Sequence, residues 1–385
     1  MDLKNIYSSS QQQKLSGRYI TNNDIEPLLS SISNKQEFRR IGFSVNKLPI
    51  YSYQIGTGKI KILLWSQMHG NESTTTKALM DFLNFLNSKS DLSNEFLKEF
   101  TFYCIPILNP DGAALYSREN ANKIDLNRDF LNLSQPESNY LVTIFNDFNP
   151  NYCYNMHDQR TIFGVSDTQK PTTIAFLAPS FNESRSFNNC RLKAANVIVE
   201  MNKTLQQYIP GQVALFDDGF NINCAGDYFQ SRGVPTILFE AGHFYEDYSR
   251  DETRKYIFIA IISGLKFLIN KSENNFENIE YLKMSHNIPI FYDYIYKNVK
   301  VIDYNLEKTI TFAIQYKEQL INSKIEFVGI IVKVDGLDNF KAHKEFDANG
   351  MLFKNNLSNC PKVNDLANFK LDNNVIVNGK FINKL

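Results

Sequence analysis

The chain has 385 residues, 41 basic and 41 acidic side chains and therefore no formal net charge. Hydrophobic residues make up 43% and aromatic residues 13%, enough apolar surface for a core, which excludes wholesale disorder. A balanced charge gives no field to draw in a polyanion, so nucleic acid is not expected as a partner.

The first residues, MDLKNIYSSSQQQ, lack the apolar core of a signal peptide. No segment approaches the ~20 apolar residues that span a bilayer. The five cysteines (Cys104, Cys153, Cys190, Cys224, Cys360) are odd in number, widely spaced and without a CxxC pair. That argues against a disulfide framework and against a cysteine zinc site. These features predict a soluble cytoplasmic protein with no membrane association.

Residues 59–67 (KIKILLWSQ) read as a buried strand, and 73–86 as a helix with Leu79, Phe82, Leu83 and Leu86 on one face. Residues 100–108 (FTFYCIPIL) are the next buried strand, closed by the turn residues Asn109-Pro110-Asp111-Gly112. A short helix is expected over 140–148, a strand over 152–156, a longer helix over 191–208 and a strand over 235–240 (PTILFE). Ser249 and Glu252 have capping-box spacing for a helix running to about residue 267. Alternating helices and continuously apolar strands predict a mostly parallel sheet covered on both faces, whose ligands gather at the carboxyl ends of its strands. Residues 271–278 (KSENNFEN) read as a linker. Beyond it, a helix is expected over 305–321, with Leu306, Ile310, Ala313 and Ile314 on one face, and a strand over 325–334. Residues 279–385 are therefore read as a small α+β extension, with a packing or lid role.

The chemistry lies in the polar residues at the strand ends. His69 and Glu72 follow the first strong strand, and three apart on a strand-to-helix turn they can point at one centre; imidazole and carboxylate both suit Zn²⁺. HxxE alone is common as a solvated pair. His157, at the end of the 152–156 strand, supplies the third ligand of a catalytic His₂Glu site. Glu240 ends a buried strand, where an ionised carboxylate is costly unless paired or used, and it can take a proton from water. Between these ligands lie Arg118 and the run Asp125-Leu126-Asn127-Arg128. Arginine forks suit a carboxylate or a developing oxyanion, and Asp125 can accept the distal N–H of a ligand histidine. Any one of these residues alone reads equally well as a surface ion pair.

Together, His69-x-x-Glu72, Asn109-Pro110-Asp111-Gly112, Arg118, Asn127-Arg128, His157 and Glu240 resemble the zinc metallocarboxypeptidases of the carboxypeptidase A/B type, over about residues 50–270. The resemblance implies an α/β fold with a mixed, mainly parallel eight-stranded sheet. It implies one zinc per chain held by His69, Glu72 and His157, with Glu240 as general base. Arg118 would polarise the scissile carbonyl, Asn127 and Arg128 would bind the substrate's free α-carboxylate, and Asp125 would partner His69. The substrate is then a peptide or peptide-like molecule, cut at its C-terminal bond. The chain divides accordingly into a segment 1–45, a catalytic domain 46–272 and the extension 279–385.

Some features depart from the family. Neither a leader nor a propeptide is expected from the sequence, and the stretch 216–220 (FDDGF) lacks the family's mobile tyrosine; Tyr228, Tyr245 and Tyr248 are possible substitutes. The base of the specificity pocket falls near Ala225, which predicts an uncharged pocket, whereas Asp217 and Asp218 would favour a basic substrate. Two other readings stay open: a cytosolic zinc amidohydrolase acting on γ-linked or D-amino-acid peptides from cell walls or on another carboxylate-bearing amide, and a non-catalytic zinc-fold binding protein. Gly56-Thr57-Gly58-Lys59 is only half a phosphate loop. His243 reads as a packing residue rather than a second metal ligand, residues 291–296 as core, and His286 and His343 receive no role.

Overall fold

The computed structural model describes residues 2–32, 37–270, 279–304, 306–356 and 358–382. The linker expected over 271–278 lies outside the described residues. The chain forms two compact units: Met1–Gln159 with Val165–Asn287, and Arg160–Gly164 with Ile288–Leu385.

The first unit is built on an eight-stranded sheet. Its strands are β1 (Phe38–Phe43), β2 (Pro49–Gly56), β3 (Ile60–Ser66), β4 (Phe100–Ile105), β5 (Tyr152–Asp158), β6 (Ile174–Leu177), β7 (Val213–Leu215) and β8 (Thr236–Ala241). Their order is β1-β2-β4-β3-β5-β8-β6-β7. The four central strands β4, β3, β5 and β8 run parallel, and antiparallel pairs occur toward the edges. The central strands therefore share one carboxyl edge, as their unbroken apolar sequences require.

Strand alternation sorts the side chains into two cores. Ile62, Leu64, Tyr154, Met156, Ile237 and Phe239 pack with α1 (Leu3–Ser10), α2 (Thr74–Leu86), α3 (Asn189–Leu205) and α4 (Asp251–Ile269). Leu63, Trp65 and Cys153 face the other way, onto α5 (Pro136–Phe148) and α6 (Ala225–Ser231). Because α1 contributes Leu3 and Tyr7 to the first core, the N-terminal segment does not stand apart from the sheet. Ile279–Leu282 also belongs here: the backbone N–H of Ala178 donates to the Tyr281 hydroxyl at 2.9 Å.

Helix α4 starts differently from the expected capping box. Arg250 is the N-cap in a left-handed conformation (φ 62°), and Ser249 does not cap. Instead Asp247, two residues before Ser249, accepts the N–H of Asp251 (2.9 Å) and of Thr253 (3.0 Å), which satisfies orphan donors of the first turn. Glu252 pairs with Lys255.

The second unit corrects the α+β reading of the C-terminal part. Its described residues form strands only: Phe291–Asp303, Leu306–Ile321, Lys324–Val334 and Lys341–Asp347 make one four-stranded sheet. A second small sheet is built from Phe353–Lys354, Phe369–Leu371, Asn374–Val377 and Lys380–Phe381. The expected helix over 305–321 is a strand because it pairs antiparallel on both sides, with Phe291–Asp303 and Lys324–Val334. Its β-branched residues and the inward-facing Ile310, Phe312 and Ile314 fit a pleated surface as well as a helical face, and long-range pairing decides. Residues 291–296 are core as expected, with Phe291, Tyr294, Ile295 and Tyr296 buried.

The turn after β3 depends on close backbone packing. Asn109 donates from Nδ2 to the Met68 carbonyl (3.1 Å) and accepts the Gly112 N–H (2.8 Å), so the Asn-Pro-Asp-Gly turn buttresses the His69 loop. Asp111 ties the same turn to Ser44 (2.9 Å) and to the N–H of Asn46 (3.0 Å). A Cβ at Gly70 would lie 1.9 Å from the Gly112 carbonyl carbon and 2.2 Å from the Ala113 nitrogen, both backbone atoms that cannot step aside. Gly70→Ala is expected to lower the thermal unfolding midpoint by roughly 5 °C or more, overpacking costing about 1–3 kcal/mol or more. An unchanged midpoint would show that the loop does not need this contact.

Candidate metal centre

Three of the expected residues meet at the carboxyl edge of the sheet. His69 and Glu72 sit on the turn that leads from β3 into α2, a turn closed by the Glu72 N–H donating to the His69 carbonyl at 3.1 Å. His157 is the penultimate residue of β5. The His69 Nδ1 lies 2.8 Å from one Glu72 oxygen, and the His157 Nδ1 lies 2.9 Å from the other. The two Nδ1 atoms are 3.2 Å apart. All three side chains are buried, and theirs is the one group of three or more metal-ligating side chains among the described residues, with the ligand atoms within 4.8 Å of one another.

Atoms that carry lone pairs do not converge this way without a proton or a cation between them. Tetrahedral zinc with bonds of about 2.0–2.1 Å sets its donors about 3.3 Å apart, close to the spacing found, and two imidazoles with one carboxylate are a donor set zinc favours. Burial holds the His157 imidazole below its ordinary pKa, so it stays neutral and keeps a lone pair. His69 is also buried, which acts to lower it, but Glu72 and Asp125 outweigh burial and raise it. Burial works to raise Glu72, yet the two imidazoles hold it well below the usual carboxylate range.

Asp125 accepts from the His69 Nε2 at 2.9 Å, so Nδ1 is the nitrogen turned toward the centre. The same Asp125 oxygen accepts the Asn127 N–H (2.9 Å), which fixes the short 3₁₀ turn Leu126–Arg128. Burial would raise Asp125, but His69 and Arg118 hold it below the usual range. Arg118 is about half exposed (48%) and reaches Asp125 with Nε (3.1 Å) and Glu72 with Nη1 (3.3 Å).

Glu240, on β8, is the register partner of His157 and lies on the same face of the sheet. Burial, then the negative Glu72 and Asp158, push its carboxyl well above the ordinary range. Asn127 and Arg128 sit beside the start of α6: the Ala225 N–H donates to Asn127 Oδ1 (2.8 Å), and Arg128 reaches Cys224 Sγ (3.1 Å) while exposed to solvent.

Asp158 was not anticipated from the sequence, and it is structurally central. The N-cap of α2, Ser73, makes no side-chain cap. Asp158 caps that helix from another strand, accepting the N–H groups of Thr74 (2.8 Å) and Thr75 (3.1 Å), while its own N–H donates to Glu72 (3.2 Å). The only signal for it was a carboxylate next to His157, a candidate ligand. Asp218, offered above as a lure for basic substrates, is already paired with Arg191 (2.8 Å) and Arg185 (3.2 Å). Asp217 accepts the Gly219 N–H (3.0 Å). Of the candidate tyrosines, Tyr228 packs on Phe130 and Tyr248 on His243, and Tyr245 is exposed. His243 is buried, as a packing residue should be.

A mixed sheet that gathers two imidazoles and a carboxylate at its carboxyl edge defines a candidate metal site. Residues 22–182 match the zinc carboxypeptidase family, and this stretch carries His69, Glu72, Arg118, Asn127, Arg128 and His157. Carboxypeptidase SOL1 of Arabidopsis thaliana is 31% identical over 157 residues, which are 35% of this chain and 32% of that protein. Carboxypeptidase 2 of Trichophyton rubrum is 27% identical over 100 residues, 26% of this chain and 19% of that protein. The chain thus spans a third or less of the length of these relatives. The fold is shared with the metallo-carboxypeptidase from Burkholderia cenocepacia (TM-score 0.52, 15% identity, 65% of this chain and 70% of that one). It is shared as well with bovine thrombin-activatable fibrinolysis inhibitor (TM-score 0.52, 15% identity, 65% of this chain and 97% of that one). The resemblance to zinc carboxypeptidases is therefore shown in sequence and in fold. No helix among the described residues is long and apolar enough to cross a membrane.

Proposed function

We propose that the chain is a zinc carboxypeptidase that hydrolyses the C-terminal bond of a peptide or peptide-like substrate with a free carboxylate. The observation that carries this reading is Glu240 in register with His157, on the same face of the sheet as the His69–Glu72–His157 donor set. His69, Glu72 and His157 would hold a single zinc, which supplies a Lewis acid and makes water more acidic. The residues of the chain do the rest. Glu240 takes a proton from the attacking water and returns it to the leaving amine; its raised carboxyl makes it a capable acceptor once ionised. Arg118, partly open to solvent and braced on Asp125, donates to the oxygen of the carbonyl under attack. Asn127 and Arg128 hold the terminal carboxylate, which limits the cut to the last residue. A structural neighbour from Pseudomonas aeruginosa, a metallo-carboxypeptidase, is in complex with (2-guanidinoethylmercapto)succinic acid, a ligand of the carboxylate-bearing kind.

Glu240→Gln is expected to lower turnover by at least ~100-fold, the scale of a lost general base, with zinc content unchanged. Substantial residual activity at full zinc content would remove Glu240 as the base. Arg128→Ala is expected to cut kcat/KM for peptides with a free carboxylate by at least ~10-fold more than for their C-terminal amides, since the lost contact is charge-assisted. Equal losses on both would show that Arg128 does not hold the carboxylate.

A further inference from the structure

One buried arginine ties together the two strand ends on which His157 and Glu240 stand. The ladder between β5 and β8 runs through that pair and ends at the next one, Asp158 and Ala241. Past it a guanidinium holds the two chains together. Arg250 donates from Nη1 to the carbonyls of Ala241 (2.7 Å) and Gly242, and from Nη2 to that of Gln159 (2.9 Å). The bonded carbonyls lie one and two residues past Glu240 and two past His157. Arg250 is 1% exposed. Its planar fork can bond two chains at once, which the point charge of a lysine cannot.

The arginine is anchored at its base as well. The carbonyl of the preceding residue, Ser249, accepts from Nζ of buried Lys77 (2.8 Å), which stands on α2, the helix that follows Glu72. The backbone of Arg250 is left-handed (φ 62°), a conformation that disfavours residues with a side chain and suits glycine. A glycine there would relieve the strain, so what the arginine adds at this position is its guanidinium. The backbone it holds has little room to shift. A Cβ at Gly242 would lie 2.0 Å from the Thr172 carbonyl oxygen and 2.6 Å from Gln159 Nε2. Thr253 Oγ1 donates to the same Gly242 carbonyl (3.2 Å). A change in how Arg250 holds Ala241 and Gly242 is therefore passed to Glu240, their neighbour on β8.

We propose that Arg250 is a positioning residue of this site, which sets the spacing between the Glu240 carboxyl and the His157 imidazole. Being buried, it acts through the backbone of both strands and not on the substrate. A misplacement of about 1 Å between reacting groups is enough to lower a rate on the order of 100-fold. This rests on the carboxypeptidase reading above.

The test uses the full chain with Arg250→Lys, which keeps the charge and loses the fork, and Arg250→Gly, which keeps the left-handed backbone and loses the side chain. Because glycine suits that backbone, the second variant carries the test where the first does not fold. Zinc affinity is measured by competition with a chelator. Hydrolysis of an N-acylated dipeptide with a free carboxylate is measured at saturating zinc, below the unfolding temperature of each variant. Each variant is expected to bind zinc at least ~10-fold more weakly, as when a group that orients a ligand is lost. Each is also expected to lose at least ~10-fold in kcat, with KM within about two-fold of the wild type. Folded variants with wild-type zinc affinity and kcat would reduce Arg250 to a stabilising contact, which overturns this assignment and leaves the carboxypeptidase reading in place. A raised KM with unchanged kcat would overturn it as well, since the loss would then lie in substrate binding. Weakened zinc binding in the variants of a chain that hydrolyses no dipeptide even as wild type would support the positioning of His157 and overturn the carboxypeptidase reading.

Discussion

Two buried imidazole nitrogens and a buried carboxylate held within about 3 Å of one another form the constraint on which this chain is organised. In a low-dielectric interior such a cluster is costly as it stands, because lone pairs face lone pairs and a charge lies away from water. The neighbouring groups offset only part of that cost, through the Arg118 guanidinium and the Asp158 N–H donating to Glu72. They hold it in place: Asp125 orients His69 from behind, and Asp158 binds the start of α2 and so fixes where Glu72 lies. A divalent cation at the centre would meet the facing donor atoms of His69, Glu72 and His157 at once.

The sheet makes the convergence possible. Parallel neighbours β3, β5 and β8 end on one edge, so residues far apart in sequence become adjacent there without long loops. The turn after β3 is held by backbone packing against the Asn109–Gly112 turn rather than by a substrate, so those four residues act as a brace for His69. Around the centre the groups differ in exposure. Buried Glu240 faces the same side as the ligands, whereas half-exposed Arg118 and exposed Arg128 stand where a charged substrate can reach them.

The residues that the structure brings together were legible in the sequence because histidine is scarce in this chain and because His69, His157 and Glu240 each follow or end an apolar strand. Residues that act through backbone groups were not. Asp158 caps a helix from a different strand, and Asp247 caps α4 in place of Ser249; neither leaves a periodic signal. The strand Leu306–Ile321 was misread because Leu306, Ile310, Ala313 and Ile314 fit a 3.6-residue period, while Ile310, Phe312 and Ile314 fit a period of two just as well. Only pairing with two distant partners separates the readings, and no local pattern records it. The charge on Asp218 was likewise visible, but its pairing with Arg191 and Arg185 was not.

X-ray absorption at the zinc edge of the purified, zinc-loaded chain tests the central claim most directly. The account predicts one zinc per chain, with two imidazoles and carboxylate or water oxygen at about 2.0–2.2 Å and no sulfur. A spectrum with sulfur ligands, or a chain in which replacing both His69 and His157 by alanine leaves that signal intact, would contradict it.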